Sequence, residues 1–209
     1  WLANPNNPTG TYLPFDEVKR LQRSMPPSVL LVLDAAYAEY VRRNDYSSGL
    51  ELVSTCDNVV MTRTFSKIYG LGGMRLGWMY APAGIVDVMS RLRQPFNVNL
   101  AAQAAGVAAL SDIAHTDASR TNNDIWLPWL SAELTKLGLA PLPSVGNFVT
   151  VGFGSKERAA AANDWLMNDG LIPRMIAGYG LAEHLRITIG TEAEVKAVQA
   201  SLARFVAQR

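Results

Sequence analysis

Two short apolar runs constrain this chain more than any other feature. Residues 29–33 are apolar throughout and break off at Asp34, and residues 58–61 lead into the polar stretch Thr62-Arg63-Thr64-Phe65-Ser66-Lys67. Neither run alternates apolar with polar, so neither suits a sheet with one wet face. Both suit strands buried on two faces, as in a parallel sheet. Helix-compatible stretches at residues 14–23 and 83–93 flank them, the first with Phe15, Val18 and Leu21 on one face, and residues 75–80 form a third short strand candidate. The first half therefore reads as α/β. In open parallel sheets ligands collect at the carboxyl ends of the strands, and that is where Asp34 and residues 62–67 fall.

The second half has a different rhythm. An Ala-rich segment, residues 99–110, predicts a packed or interdomain helix, and residues 117–137 predict a longer one with a kink near Pro128. Pro141 and Pro143 interrupt the pattern. Residues 148–153 alternate like a strand, residues 157–168 form a helix that stops at Gly170, residues 184–189 are a strand, and residues 192–206 are a last helix. The division expected is a part of a large α/β domain over residues 1–111 and a small α+β domain over residues 112–209.

Composition narrows the function classes. Hydrophobic residues make up 49% of the 209, charged residues 18%, and the net charge is +1. That balance belongs to a folded globular chain and gives no field for nucleic acid or acidic membranes. No apolar run approaches membrane-spanning length. Cys56 is the only cysteine, so no internal disulfide can form and a reducing compartment is expected. Trp1-Leu2-Ala3 reads as the end of a buried strand, and the chain is expected to begin inside a domain.

Three segments carry chemistry. Thr62 to Lys67 is followed by Gly70, Gly72, Gly73 and Arg75. Hydroxyls and Arg are natural phosphate ligands, and the glycines let a backbone approach closely. Lys67 either neutralises a phosphate or acts as an amine nucleophile on an aldehyde; the plainer reading is a solvated loop. Asp34, at a strand end, could bind a metal, cap a helix or pair with a buried cation, and Tyr37 lies one helical turn on. Asn4-Pro5-Asn6-Asn7-Pro8-Thr9-Gly10 is a constrained turn that can present an Asn amide rigidly, or is simply stiff.

Taken in order, Asn7-Pro8-Thr9-Gly10, Asp34-x-x-Tyr37, Ser66-Lys67, Arg75 and Leu185-Arg186-Ile187-Thr188-Ile189-Gly190 resemble the fold-type I aminotransferases of class I/II, across essentially the whole chain. The resemblance implies an enzyme whose cofactor is pyridoxal 5'-phosphate, with a mostly parallel sheet in the large cofactor-binding domain. It implies that Lys67 carries the cofactor and later shuttles the proton, and that Asp34 pairs with the pyridinium nitrogen. Asn7 and Tyr37 would hydrogen-bond the ring's O3′, and Thr64, Ser66 and Arg75 would hold the cofactor phosphate. Arg186 would take the substrate α-carboxylate.

Finer matches, Leu171-Ile172-Pro173-Arg174, Ala177-Gly178-Tyr179-Gly180 and Asn147-Phe148, resemble the histidinol-phosphate aminotransferase subfamily, although Pro173-Arg174-Met175 stands where Val-Arg-Pro is expected. There Arg174 would bind the substrate phosphate, and the reaction implied is between histidinol phosphate and 2-oxoglutarate in histidine biosynthesis. Aromatic or other aminotransferases, a threonine-phosphate decarboxylase-like enzyme and the effector domain of a regulator share much of this pattern. The resemblance also implies a cytoplasmic homodimer acting on small molecules, with no nucleic acid or membrane partner. It suggests a C-terminal part of a longer chain that does not catalyse efficiently alone. Trp1, Trp78, Trp126, Trp129 and Trp165 are expected in the core or at a domain interface. His115 and His184 are not expected to be catalytic, and no metal site is expected from two scattered His and one Cys.

Overall fold

The structure, a computed structural model, describes residues 1–208. Chain contacts divide it into two compact units. One comprises Trp1–Asn6 and Tyr12–Ser119; the other comprises Asn7–Thr11 and Arg120–Arg209. The reading above placed the passage at about residue 112. By contacts the chain divides inside a helix, after Ser119, and the short segment Asn7–Thr11 goes with the second unit.

The first unit opens with β1 (Leu2–Ala3) and α1 (Phe15–Ser24), followed by β2 (Leu31–Asp34), α2 (Leu50–Thr55), β3 (Val59–Thr64) and β4 (Gly77–Tyr80). Helices α3 (Ala83–Leu92) and α4 (Leu100–Ser111) follow. The strands lie in the order β1-β2-β3-β4, parallel except for β4, which is antiparallel to β3. Leu31, Leu33, Val59 and Met61 bury one face of the sheet with Val18 of α1 and with Leu52 and Val53 of α2. Val32 and Val60 bury the other face with Ala81. The two-faced burial explains why these strands show no alternation.

Several expectations shift here. Residues 29 and 30 are not strand: Val29 and Leu30 are exposed, and pairing begins at Leu31. Leu21 of α1 is exposed, so Val18 carries that helix's burial almost alone. The Ala-rich α4 buries only Ala102 and Gly106 and leaves Leu100, Val107 and Leu110 in the open. Gly106 packs closely, since a Cβ there would lie 2.5 Å from Leu76 Cδ2 and displace that side chain. Trp1 and Trp78 are exposed, not core.

Helix α5 (Ile113–Lys136) starts earlier than its sequence pattern suggests and runs through Pro128. After it come β5 (Ala140–Pro141), β6 (Phe148–Gly152), α6 (Lys156–Asn168), β7 (Arg174–Met175), β8 (His184–Thr188) and α7 (Glu192–Ala207). The sheet of the second unit is antiparallel throughout, in the order β5-β6-β8-β7. Val149, Val151, Leu185 and Ile187 point to one face and pack with Leu130 and Leu134 of α5, Leu166 of α6, and Val195 and Leu202 of α7. Trp126 and Trp129 pack against this core, and the Trp165 indole N–H donates to Ser201 O at 3.2 Å.

All of β6 is buried, although its sequence reads as one-sided. Its other face carries Phe148 and Thr150, and the segment Asn7–Thr11 lies over it. Thr150 Oγ1 donates to Pro8 O, and Val145 N–H donates to Gly10 O at 2.9 Å. Gly10 has φ +81°, and any Cβ there would strike Ser144 Oγ at 2.3 Å, so the position needs Gly on both counts.

Candidate active site

In the first unit the parallel register sets the site. Ala3 lies beside Asp34 and Asp34 beside Thr62, so β1, β2 and β3 present their carboxyl ends at one edge of the sheet. Asp34 closes β2, half-buried, and one carboxylate oxygen accepts the Ala36 N–H at 3.2 Å. That bond turns the chain sharply, and Tyr37, which follows it, is 4% exposed. Lys67 Nζ stands 5.1 Å from the centre of that ring, a cation held over an aromatic face.

Residues 64–75 form a polar loop around the same edge. The Ser66 N–H donates to Thr64 Oγ1 at 3.0 Å, and the Arg75 guanidinium donates to Gly72 O at 2.7 Å and to Ser66 Oγ at 3.4 Å. Arg75 has φ +54°, a left-handed backbone that costs energy for any residue but Gly. Thr64, Ser66 and Arg75 thus combine two hydroxyls with a guanidinium, the donor set that a phosphate needs. Of the three glycines noted in sequence, only Gly70 takes a positive φ, +68°.

Beneath this edge, Arg63 and Glu39 form an ion pair at 2.6 Å, with side chains 18% and 11% exposed, and Arg63 also lies over the Trp78 ring. The pair joins the turn after Tyr37 to the strand that leads to Lys67. Tyr46 donates to Asn4 O at 2.8 Å, and burial pushes its phenol well above the usual tyrosine range. Sequence reading gave no role to Glu39 or Arg63, because nothing in a sequence links positions 24 residues apart.

In the second unit β6, β8 and β7 align Thr150, Arg186 and Arg174 in one cross-strand row. Arg186 Nη1 donates to Asn7 Oδ1 at 2.5 Å, the guanidinium lies over the Phe148 ring, and its Nε is buried with no partner. Arg174, the residue expected to bind the substrate phosphate, lies in a two-residue strand opposite Arg186. Like charges directly opposite on neighbouring strands repel, and an anion between them would relieve that repulsion. Among the described residues no group of three or more His, Cys, Asp or Glu side chains is placed to hold a metal ion. No helix among them is long and apolar enough to cross a membrane.

Against known families, residues 1–202 match the model for aminotransferase class I and II. The chain belongs to that family. Within it, the chain is similar to the histidinol-phosphate aminotransferase of Rhodopseudomonas palustris (strain BisB18), 57% identical over all of this chain and 58% of the relative. It is 54% identical to the enzyme of the same name from Paramagnetospirillum magneticum, over 99% of this chain and 57% of that one. Among solved structures, the histidinol-phosphate aminotransferase of Sinorhizobium meliloti in complex with pyridoxal-5'-phosphate superposes with a TM-score of 0.90 at 34% identity, covering 99% of this chain and 56% of that one. This aminotransferase-family chain therefore spans somewhat more than half the length of the relatives it matches.

Proposed function

We propose that the protein containing this chain is a pyridoxal-phosphate-dependent aminotransferase that exchanges the amino group of histidinol phosphate with 2-oxoglutarate. The observation that carries the reading is the strand edge of the first unit, with Asp34, Tyr37 and Lys67 beside the Thr64, Ser66 and Arg75 donor set. A ring carrying a basic nitrogen, an aldehyde and a phosphate fits that donor set. Bound there, pyridoxal phosphate would supply an electron sink for the substrate Cα. Family membership and the relatives named above support the same choice.

The roles are those that the family resemblance implies, and the chemistry of each side chain suits its part. Lys67 bears the only amine in the loop and is the group that takes the proton from the substrate Cα and returns it. Asp34 holds positive charge at the ring nitrogen by proximity of its carboxylate. Tyr37 would donate toward the ring oxygen, a part that the resemblance also gives to Asn7, whose Oδ1 accepts from Arg186 within the second unit. Ser66, Thr64 and Arg75 hold the phosphate. Arg186 and Arg174 would take the anionic ends of the substrates: the phosphate of one and the carboxylates of the other suit two guanidiniums on facing strand positions, the Nε of Arg186 being without a partner. One Lys serving donor and acceptor in turn makes the cycle ping-pong. The reading carries with it a cytoplasmic homodimer; sedimentation at working concentration checks the dimer.

The test is direct. The full protein mixed with pyridoxal phosphate should gain a visible absorbance band that borohydride fixes on Lys67, and Lys67→Ala should lose both. Histidinol phosphate with 2-oxoglutarate should then yield glutamate. Release of carbon dioxide in place of glutamate would move the assignment to a decarboxylase, and an unlabelled Lys67 in the full protein would end it.

A further inference from the structure

Lys67 has a flexible side chain, so the reach of its amine depends on where its backbone is held. The turn around it is tight. The Gly70 N–H donates to Lys67 O at 2.9 Å, and the Leu71 N–H donates to Phe65 O at 3.0 Å. Those bonds use the carbonyls on either side of Ser66. The carbonyl of Ile68, the residue after the lysine, is met from another element altogether: His115, in the first turns of α5, places Nε2 3.2 Å from Ile68 O.

The helix start that carries the imidazole is capped. Asp112 Oδ1 accepts the His115 backbone N–H at 2.9 Å. A Cβ built on Gly70 would sit 3.8 Å from His115 Nε2, so the ring also rests against the far end of the turn. A carbonyl can only accept, so Nε2 must carry the hydrogen. The Ile68 side chain is fully buried, which pins the turn from its other side.

We infer that His115 is a positioning residue for Lys67, holding the catalytic turn through the Ile68 carbonyl. This rests on the aminotransferase reading. His115 touches neither substrate nor cofactor in this role; it narrows the range of places from which the lysine amine can start. Misplacing a reacting group by about 1 Å can cost on the order of a hundredfold in rate, and loosening one anchor of several costs less.

Two variants of the full protein test this. His115→Ala removes the donor; His115→Gln puts an amide nitrogen where Nε2 stood. The expected result is a fall in kcat of about tenfold for Ala, with KM for the amino donor little changed, and recovery of most of that loss in Gln. Hydrogen exchange at the Gly70 and Leu71 amides should quicken in Ala and return toward the parent rate in Gln. Unchanged exchange in Ala, or Gln no better than Ala, overturns the proposal. The exchange measurement needs no cofactor. Failure to trap pyridoxal phosphate on Lys67 in the unmodified protein would overturn the aminotransferase reading alone, while exchange still decides the anchor.

Discussion

Arg186 meets three demands at once. It donates to Asn7, lies on the Phe148 ring and stands across from Arg174, with Nε buried and unpartnered. Only a planar, multiply donating cation can do all three, because an ammonium offers no fork and stacks poorly. Arg186→Lys is therefore expected to raise KM for the anionic substrate by roughly tenfold or more, with a smaller fall in kcat. Steady-state kinetics with both substrates varied checks it, and an unchanged KM would remove Arg186 from substrate binding. The direction of this side chain was legible in sequence, because Leu185 and Ile187 on either side are apolar and a strand alternates. Its neighbour was not. Arg174 lies in a strand of two residues directly after Pro173, too short for any periodicity to register.

Among the elements, β3 does most to assemble the first unit's site. Its carboxyl end delivers Thr64 and the lysine turn, and Arg63 within it reaches the turn after β2 through Glu39. Removing one member of a partly buried pair leaves the other charge without its partner, at a cost of about 1–3 kcal/mol. Glu39→Ala or Arg63→Ala should lose stability of that order in urea unfolding, and Glu39→Leu with Arg63→Met should recover most of it. Single variants as stable as the parent would show that the pair contributes nothing. The parallel strands β2 and β3 were readable because both their faces are apolar. The antiparallel direction of β4 was not, since Gly77–Tyr80 is largely exposed and direction leaves no trace in composition. Residues 29 and 30 misled for the opposite reason: they are apolar but follow Pro26-Pro27-Ser28 outside the ladder.

At the level of the whole molecule, the chain passes between its two units at residues 6–7, 11–12 and 119–120. The five residues Asn7–Thr11 are the second unit's cover for Thr150 and for the backbone at Val145. A polypeptide of residues 120–209 alone should unfold at lower urea concentration than the same residues carrying 7–11 on a flexible linker. Equal midpoints would mean that the segment adds no stability. The sequence could not announce this arrangement, because Asn7-Pro8-Thr9-Gly10 looks the same whether it closes one unit or roofs the next.

The roofing segment bears on how these proteins can be recombined. A chimera that grafts a relative's residues 120–209 onto this chain would keep the native strip at 7–11 and mate it with a foreign β6. Gly10 would then face whatever residue replaced Ser144, and Pro8 O whatever replaced Thr150. Parts borrowed from relatives must therefore be exchanged as two discontinuous pieces together, and a single crossover late in the chain yields mismatched hybrids even where both parents are sound.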